Sequence, residues 1–503
     1  MASINIHHHR PLLSLLPILL VLSAFTPTTT DALKLGEFKR EIYSGAQSLA
    51  STDIANNDYD KYAINYYTQT LDHFDYQPES YATFPQRYAV SNVSWGGARN
   101  NSPILVYLGG ESPVDYLLKE PLFLSEIAAH FNALLVHIEH RYYGESNPFG
   151  SREEAYANSS TLGYLSSSQA LADYAELIID LKKNLSADNS PLIVAGGSYA
   201  GMLASWFRLK YPHIAIGAFA SSAPILYFDD MISPQHGYFD VVTKDFRDTS
   251  ESCYKTIRES WSEIDKVGSQ SGGLNLLSNI FHTCSPLNNT GLLKDYLYGT
   301  YCESAQYNFP PVTDICSQID QAQAQGADVL QRVFSAVNSS VAHGECLDVT
   351  SGEDPSVADG WNWQKCTEMV MPIGVSSNES MFEVDPFNIT EFTKGCQKDY
   401  GITPRPHGIT TEFGGHNIDS VLRKFGSNIL FSNGLRDPYS SGGVLQNISD
   451  SIVATYTTQG THCSDLAHSR ENDPEWLVAQ RTTEITTISG WIEEYKSKVA
   501  KTS

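Results

Sequence analysis

Between Leu192 and Tyr211 the chain reads LIVAGGSYAGMLASWFRLKY. A short apolar run meets two glycines, a serine and, after Ala200, a third glycine, and then continues with apolar residues at helical spacing. A tight turn from a strand into a helix fits that order. Gly196, Gly197, Ala200 and Gly201 are small where strand and helix must approach closely, with no room for larger side chains. Such a turn holds the hydroxyl of Ser198 exposed at the carboxyl edge of a sheet, in the form of a nucleophile elbow. A phosphate-binding loop would instead carry Gly-Lys-Ser/Thr after its glycines, and neither the lysine nor the spacing is present.

The surrounding pattern supplies the sheet. Tyr66–Phe74 and Arg87–Trp95 read as strands, and Ile104–Leu108 and Ala133–Ile138 are continuous apolar runs, as in strands buried on both faces of a parallel sheet. Gln169–Leu185 carries apolar residues at helical spacing, and Ala215–Ala220 follows as another strand. Alternation of strands and helices makes this half an α/β sheet. From 228 to 424 the regularity gives way to helical patterns, such as Tyr254–Ile264 and Ile315–Val337, mixed with loops. Strands return at Asn428–Phe431 and Ser451–Tyr456 before a helical segment at Glu475–Tyr495. The expected organisation is a leader over 1–32, a core formed by 33–227 and 425–503, and a mainly helical insertion over 228–424.

Met1–Arg10 is polar and mildly basic, Pro11–Phe25 is apolar, and Thr-rich residues lead to Asp31. That profile fits a secretory leader better than a membrane span, which needs about 20 apolar residues. The expected route is therefore secretory, with an extracellular or vacuolar/lysosomal destination and no membrane association after cleavage. His7, His8 and His9 lie inside the leader and receive no function. Sequons at Asn92, Asn100, Asn158, Asn184, Asn288, Asn338, Asn378, Asn388 and Asn447 are expected glycan acceptors. Seven of the eight cysteines fall between Cys253 and Cys396, as a disulfide-braced insertion in an oxidising compartment would produce. None are spaced Cys-x-x-Cys, so zinc is not indicated. With 33 Lys+Arg against 57 Asp+Glu, the net charge of -24 opposes binding to a nucleic-acid backbone.

A serine hydroxyl needs a base to remove its proton, and the base needs an acid to fix its tautomer. In the α/β-hydrolase order the acid and then the histidine follow the serine. Asp437 lies just past the strand Asn428–Phe431, in SNGLRDPYSSGG, and is the expected acid. Only His462 and His468 come later. His462 sits directly after the strand Ser451–Tyr456, where a base can reach the serine, and is preferred. The oxyanion donors map to the N–H of Tyr199 and to the Leu108–Ser112 loop, with Gly110 as the candidate. This chemistry requires no metal or organic cofactor.

The motifs QTLDHF at Gln69–Phe74, LGGES at Leu108–Ser112, HRYYGES at His140–Ser146, QALADYAELI at Gln169–Ile178 and GGSYAGMLASW at Gly196–Trp206 occur in that order. They are followed by RPHGITTEFGG at Arg405–Gly415, then SNGLRDPYSSGG and GTHCSDL. Together they resemble the serine peptidases of family S28 and span nearly all of the expected mature chain. The resemblance implies an α/β-hydrolase fold with an inserted, mainly helical, disulfide-braced cap domain, and a Ser198–Asp437–His462 triad. It also implies an exopeptidase that cleaves after proline, nearer the family's carboxypeptidases through RPHGITTEFGG and MVMP at Met369–Pro372. Peptides with proline next to the scissile bond are the implied substrates. The implied first pocket falls on Met202, Met371 and Tyr439, with Glu111 a candidate for a substrate terminus. The pairs Cys253–Cys316, Cys284–Cys346 and Cys366–Cys396 are implied too, while the pairing of Cys302 and Cys463 stays open, as does a homodimer. The chain departs from the family where a second histidine becomes Cys463, where an arginine becomes Ala467, and at Tyr439, where tryptophan is common. The rival readings are an aminodipeptidase of the same family, a non-catalytic binding protein of the same fold, and a lipase or acyltransferase.

Overall fold

The computed structural model describes residues 58–119, 122–228, 237–350 and 354–502. The expected leader lies outside them. Among the described residues, eight strands form one sheet: β1 (Ala63–Thr70), β2 (Thr83–Ser91), β3 (Ile104–Leu108), β4 (Leu134–Ile138), β5 (Leu192–Gly197), β6 (Gly217–Ser221), β7 (Ile429–Gly434) and β8 (Ile452–Thr457). Their spatial order is β1-β2-β4-β3-β5-β6-β7-β8. The β1–β2 and β2–β4 pairs are antiparallel. Every later pair is parallel. This is the α/β-hydrolase arrangement.

Among the described residues, the helices of nine or more residues are α1 (Phe123–Phe131), α2 (Ser167–Asn184), α3 (Ser198–Lys210), α4 (Tyr238–Thr249), α5 (Glu251–Gly268), α6 (Gly291–Tyr307), α7 (Val312–Ala324), α8 (Val329–Val337), α9 (Pro355–Thr367), α10 (Ile389–Tyr400) and α11 (Glu475–Thr502). Successive strand residues point to opposite faces, and here both faces are covered. Ile104, Val106 and Leu108 pack with α2 and α3, through Tyr174, Ile178, Leu203 and Phe207. Leu105 and Tyr107 pack with α1 and α11, through Ile127, Ile488 and Trp491. That double burial is why β3, β4 and β5 read as unbroken apolar runs. No helix among the described residues is long and apolar enough to cross a membrane.

The first two strands begin earlier than their sequence patterns suggest, at Ala63 and Thr83 in place of Tyr66 and Arg87. Leu71–Phe74 leaves the sheet because its polar groups are taken by α2: His73 Nε2 lies 2.8 Å from Asp173 Oδ1, and Gln169 donates to Asp72. At the other strand, Asn92–Trp95 closes as a turn, with the Trp95 N–H on the Asn92 carbonyl. The Ile315–Val337 pattern divides into α7 and α8 at Gly326, whose φ of +84 ends the first helix, while a capping box of Asp328 and Gln331 starts the second.

Helices α4 to α8 build a core of their own, including Val242, Phe246, Ile257, Leu297, Ile315 and Val333. By contrast, Trp361 of α9, Met369, Ile409 and Phe413 join the sheet's core, with Phe413 stacked on Trp206 at 4.2 Å. Disulfides join Cys253 to Cys316, Cys284 to Cys346 and Cys366 to Cys396, closing 63, 62 and 30 residues of sequence. On a chain-entropy account, each of the two longer closures stabilises by about 4 kcal/mol. Cys302 is buried and Cys463 half-buried, both as free thiols. Of the sequon asparagines, eight are exposed and Asn338 is half-buried.

Candidate active site

Ser198 opens α3 directly from β5 and has a φ of +56, in the left-handed region that a residue with a Cβ occupies only under strain. Its neighbours leave no alternative to small residues. A Cβ on Gly196 would lie 2.3 Å from the Ala200 carbonyl carbon and oxygen, and one on Gly201 would lie 2.8 Å from the Ser221 carbonyl oxygen. The turn thus presses strand and helix together and lifts Ser198, which is half-buried, above the sheet edge.

The loops after β7 and β8 meet at a glycine pair. A Cβ on Gly434 would stand 2.1 Å from the Gly460 carbonyl oxygen, and the Arg436 N–H donates to that same oxygen at 3.0 Å. This contact brings Asp437 and His462 together. Asp437 Oδ2 lies 2.7 Å from His462 Nδ1, while its Oδ1 accepts from the Tyr439 N–H at 2.9 Å. Both side chains are buried, Asp437 completely. His462 Nε2 is buried and has no hydrogen-bond partner among the described residues. The His462 loop also abuts the elbow: Cys463 Sγ would stand 2.8 Å from a Cβ on Gly197, and the Cys463 N–H donates to Ser222 Oγ. His468, the other histidine in the right sequence position, is exposed and pairs with Glu126 at 3.0 Å.

Burial would lower the His462 pKa, but the Asp437 carboxylate, and after it the Cys463 thiol, outweigh this and hold it well above the ordinary imidazole value. Burial pushes His140 down to about 4, so this ring stays neutral. It lies behind the elbow, with Nε2 3.1 Å from the Tyr199 hydroxyl, which also accepts from Gln364 at 2.8 Å. The HRYYGES motif thereby supports Tyr199 and, through Glu139, its own turn: the carboxylate accepts from the N–H groups of Glu145 and Ser146. Gly110 packs on the first turn of α3, where its Cβ would stand 3.3 Å from Ala200 N. The candidate oxyanion donors therefore flank Ser198.

Residues 69–484 match the family described as Serine carboxypeptidase S28. The chain belongs to that family. It is 38% identical to Lysosomal Pro-X carboxypeptidase of Mus musculus, over 87% of this chain and 91% of that protein. With the Homo sapiens protein of the same name the identity is 36%, over 96% and 98%. With Prolyl carboxy peptidase like protein 5 of Caenorhabditis elegans it is 31%, over 86% and 90%. The chain is a serine-type peptidase of the carboxypeptidase type.

Around the S28 site, Tyr439 is half-buried, its ring centroid 5.6 Å from that of His462. Met371 packs against both the sheet core and the helical core, at the seam between them. Met202 is fully buried in the sheet core. Glu111 is buried, and its charge adds to burial in raising the phenols of Tyr199, Tyr307 and Tyr439. Sequence reasoning missed the cap's share. Tyr307 at the end of α6 sets its ring edge-on to His462 at 5.6 Å, and the Gln306 carbonyl accepts the His462 N–H at 2.8 Å. Asn308 could mark a helix end in the sequence, since asparagine tolerates the left-handed C-cap it adopts. No local pattern says which loop that end touches.

Proposed function

We propose that the chain hydrolyses peptide bonds after proline at the carboxyl end of its substrates, through a Ser198–His462–Asp437 triad. The supporting observation is the 2.7 Å contact from Asp437 to His462 Nδ1, which leaves the buried Nε2 free, on a loop abutting the elbow of Ser198. Ser198 Oγ attacks the carbonyl carbon as Nε2 takes the hydroxyl proton, and Asp437 stabilises the resulting imidazolium. The oxyanion accepts hydrogen bonds from the N–H groups of Tyr199 and Gly110. Collapse breaks the C–N bond as His462 returns the proton to the leaving amine, and water releases the acyl group by the same steps in reverse roles.

The relatives' names support proline specificity. A proline ring is compact and apolar and carries no N–H, so aromatic and thioether walls suit it. Tyr439 and Met371 supply such walls. Met202 has no exposed surface, so its contact with a proline ring requires the pocket to open. The relatives' lysosomal description and the 1–32 leader support a secretory route.

Covalent labelling by an organophosphate tests the nucleophile. Wild-type protein should take up one equivalent and Ser198→Ala none; equal labelling of both would remove Ser198 from the mechanism. A panel of Pro-Xaa and Ala-Xaa peptides, free or amidated at the carboxyl end, tests specificity. Equal turnover of the proline and alanine series would refute the proline pocket.

A further inference from the structure

The helical cap does more at this site than roof it. Six contacts, three hydrogen bonds and three ring contacts, form a closed circuit around His462. The His462 N–H donates to the carbonyl of Gln306 at 2.8 Å. Gln306 Nε2 donates to the Tyr307 hydroxyl at 2.5 Å, and Gln306 Oε1 accepts from the Tyr238 hydroxyl at 2.8 Å. The Tyr238 ring packs on Tyr439 at 5.1 Å, Tyr439 in turn lies 5.6 Å from His462, and Tyr307 makes an edge contact with His462 at 5.6 Å. The imidazole is thus tied by Asp437 at Nδ1, walled by two phenol rings, and anchored through its own backbone to the last turn of α6.

We propose that Gln306 and Tyr307 are positioning residues for His462, so that the docked cap completes the setting of the catalytic base. The proposal rests on reading His462 as that base. Its physical ground is that Asp437 alone leaves the ring free to swing about its side-chain torsions. A backbone anchor and two neighbouring rings restrict that freedom. Misplacing a reacting group by about 1 Å costs on the order of 100-fold in rate. Gln306 is the hub, since its amide holds Tyr307 on one side and Tyr238 on the other while its carbonyl holds the base's loop.

The test compares Gln306→Leu, Tyr307→Leu and the double variant with wild type. It reads kcat, KM and the rate of organophosphate labelling, with melting temperature as the folding control. Each single variant should lose about 10-fold or more in both kcat and labelling rate, with KM changed less than about threefold. The double variant should lose little beyond the worse single one, because both act through one imidazole. Tyr307→Phe keeps the ring wall and removes one hydrogen bond, so its loss should be intermediate; it also serves if Tyr307→Leu does not fold. A raised KM with unchanged kcat and labelling would make Tyr307 a substrate contact and overturn the proposal, as would wild-type values throughout. His462→Ala separates the two levels. If it labels at the wild-type rate, the base assignment itself fails. If it does not label while the Gln306 and Tyr307 variants behave as wild type, the base stands and the positioning role falls.

Discussion

Two influences oppose each other at His462. Burial favours the neutral ring, while the Asp437 carboxylate at 2.7 Å favours the charged one and prevails, holding the pKa well above its ordinary value. A general base works only when neutral, so activity limited by this group rises with pH. Replacing Asp437 by Asn removes the charge and leaves burial in command. The ascending limb of kcat/KM should then move to lower pH, while kcat drops by about 10³–10⁴-fold because the imidazolium formed during attack loses its partner. A pH–rate profile of Asp437→Asn checks both. A limb that stays where it is in wild type would mean that some other group titrates there.

The elbow depends on two elements touching without a side chain between them. A Cβ on Gly196 would meet backbone atoms of Ala200 at 2.3 Å, and those cannot yield without displacing α3. Gly196→Ala should therefore destabilise by about 1–3 kcal/mol and slow labelling of Ser198. Gly490→Ala, in α11, meets nothing within 4 Å and should raise the melting temperature, since alanine is better in a helix interior by about 0.5–1 kcal/mol. Thermal melts of the pair check the contrast. The same close approach made β5 and α3 legible in the sequence, because a steric demand for small residues leaves a local mark. β3 and β4 were legible through burial on both faces. The β1–β2 edge was misplaced because β1 is only partly covered and its apolar pattern runs past the sheet's end. The pairing of Asp437 with His462 at 2.7 Å could be anticipated because each residue follows a strand. Gln306, Tyr307 and Tyr238 could not, since their contacts with the His462 loop join distant parts of the chain and follow no period.

Across the molecule, an excess of carboxylates coexists with carboxyls sealed inside, and the two respond to pH differently. Glu139 and Asp245 are each pushed up to about 7, in both cases chiefly by burial, which hydrogen bonds at Glu139 and the nearby Arg436 at Asp245 only partly offset. A carboxyl whose folded pKa exceeds its unfolded value binds protons more tightly in the fold. Its contribution to stability is complete below about pH 4 and is lost as the pH rises to about 7. Buried histidines act in the opposite sense. His137 and His140, lowered by burial to about 3 and about 4, stay neutral in the fold and cost stability as the pH falls below about 6.5. Raw stability against pH therefore mixes cancelling trends, and a single group is isolated only by difference. Asp245 suits this because it lies on α4, facing Arg436 at 3.5 Å from the loop that carries Asp437. Relative to wild type, Asp245→Asn should gain several degrees in melting temperature as the pH is raised from about 4 to about 7, with the difference level outside that window. Parallel curves across it would mean that Asp245 ionises in the folded protein at no cost.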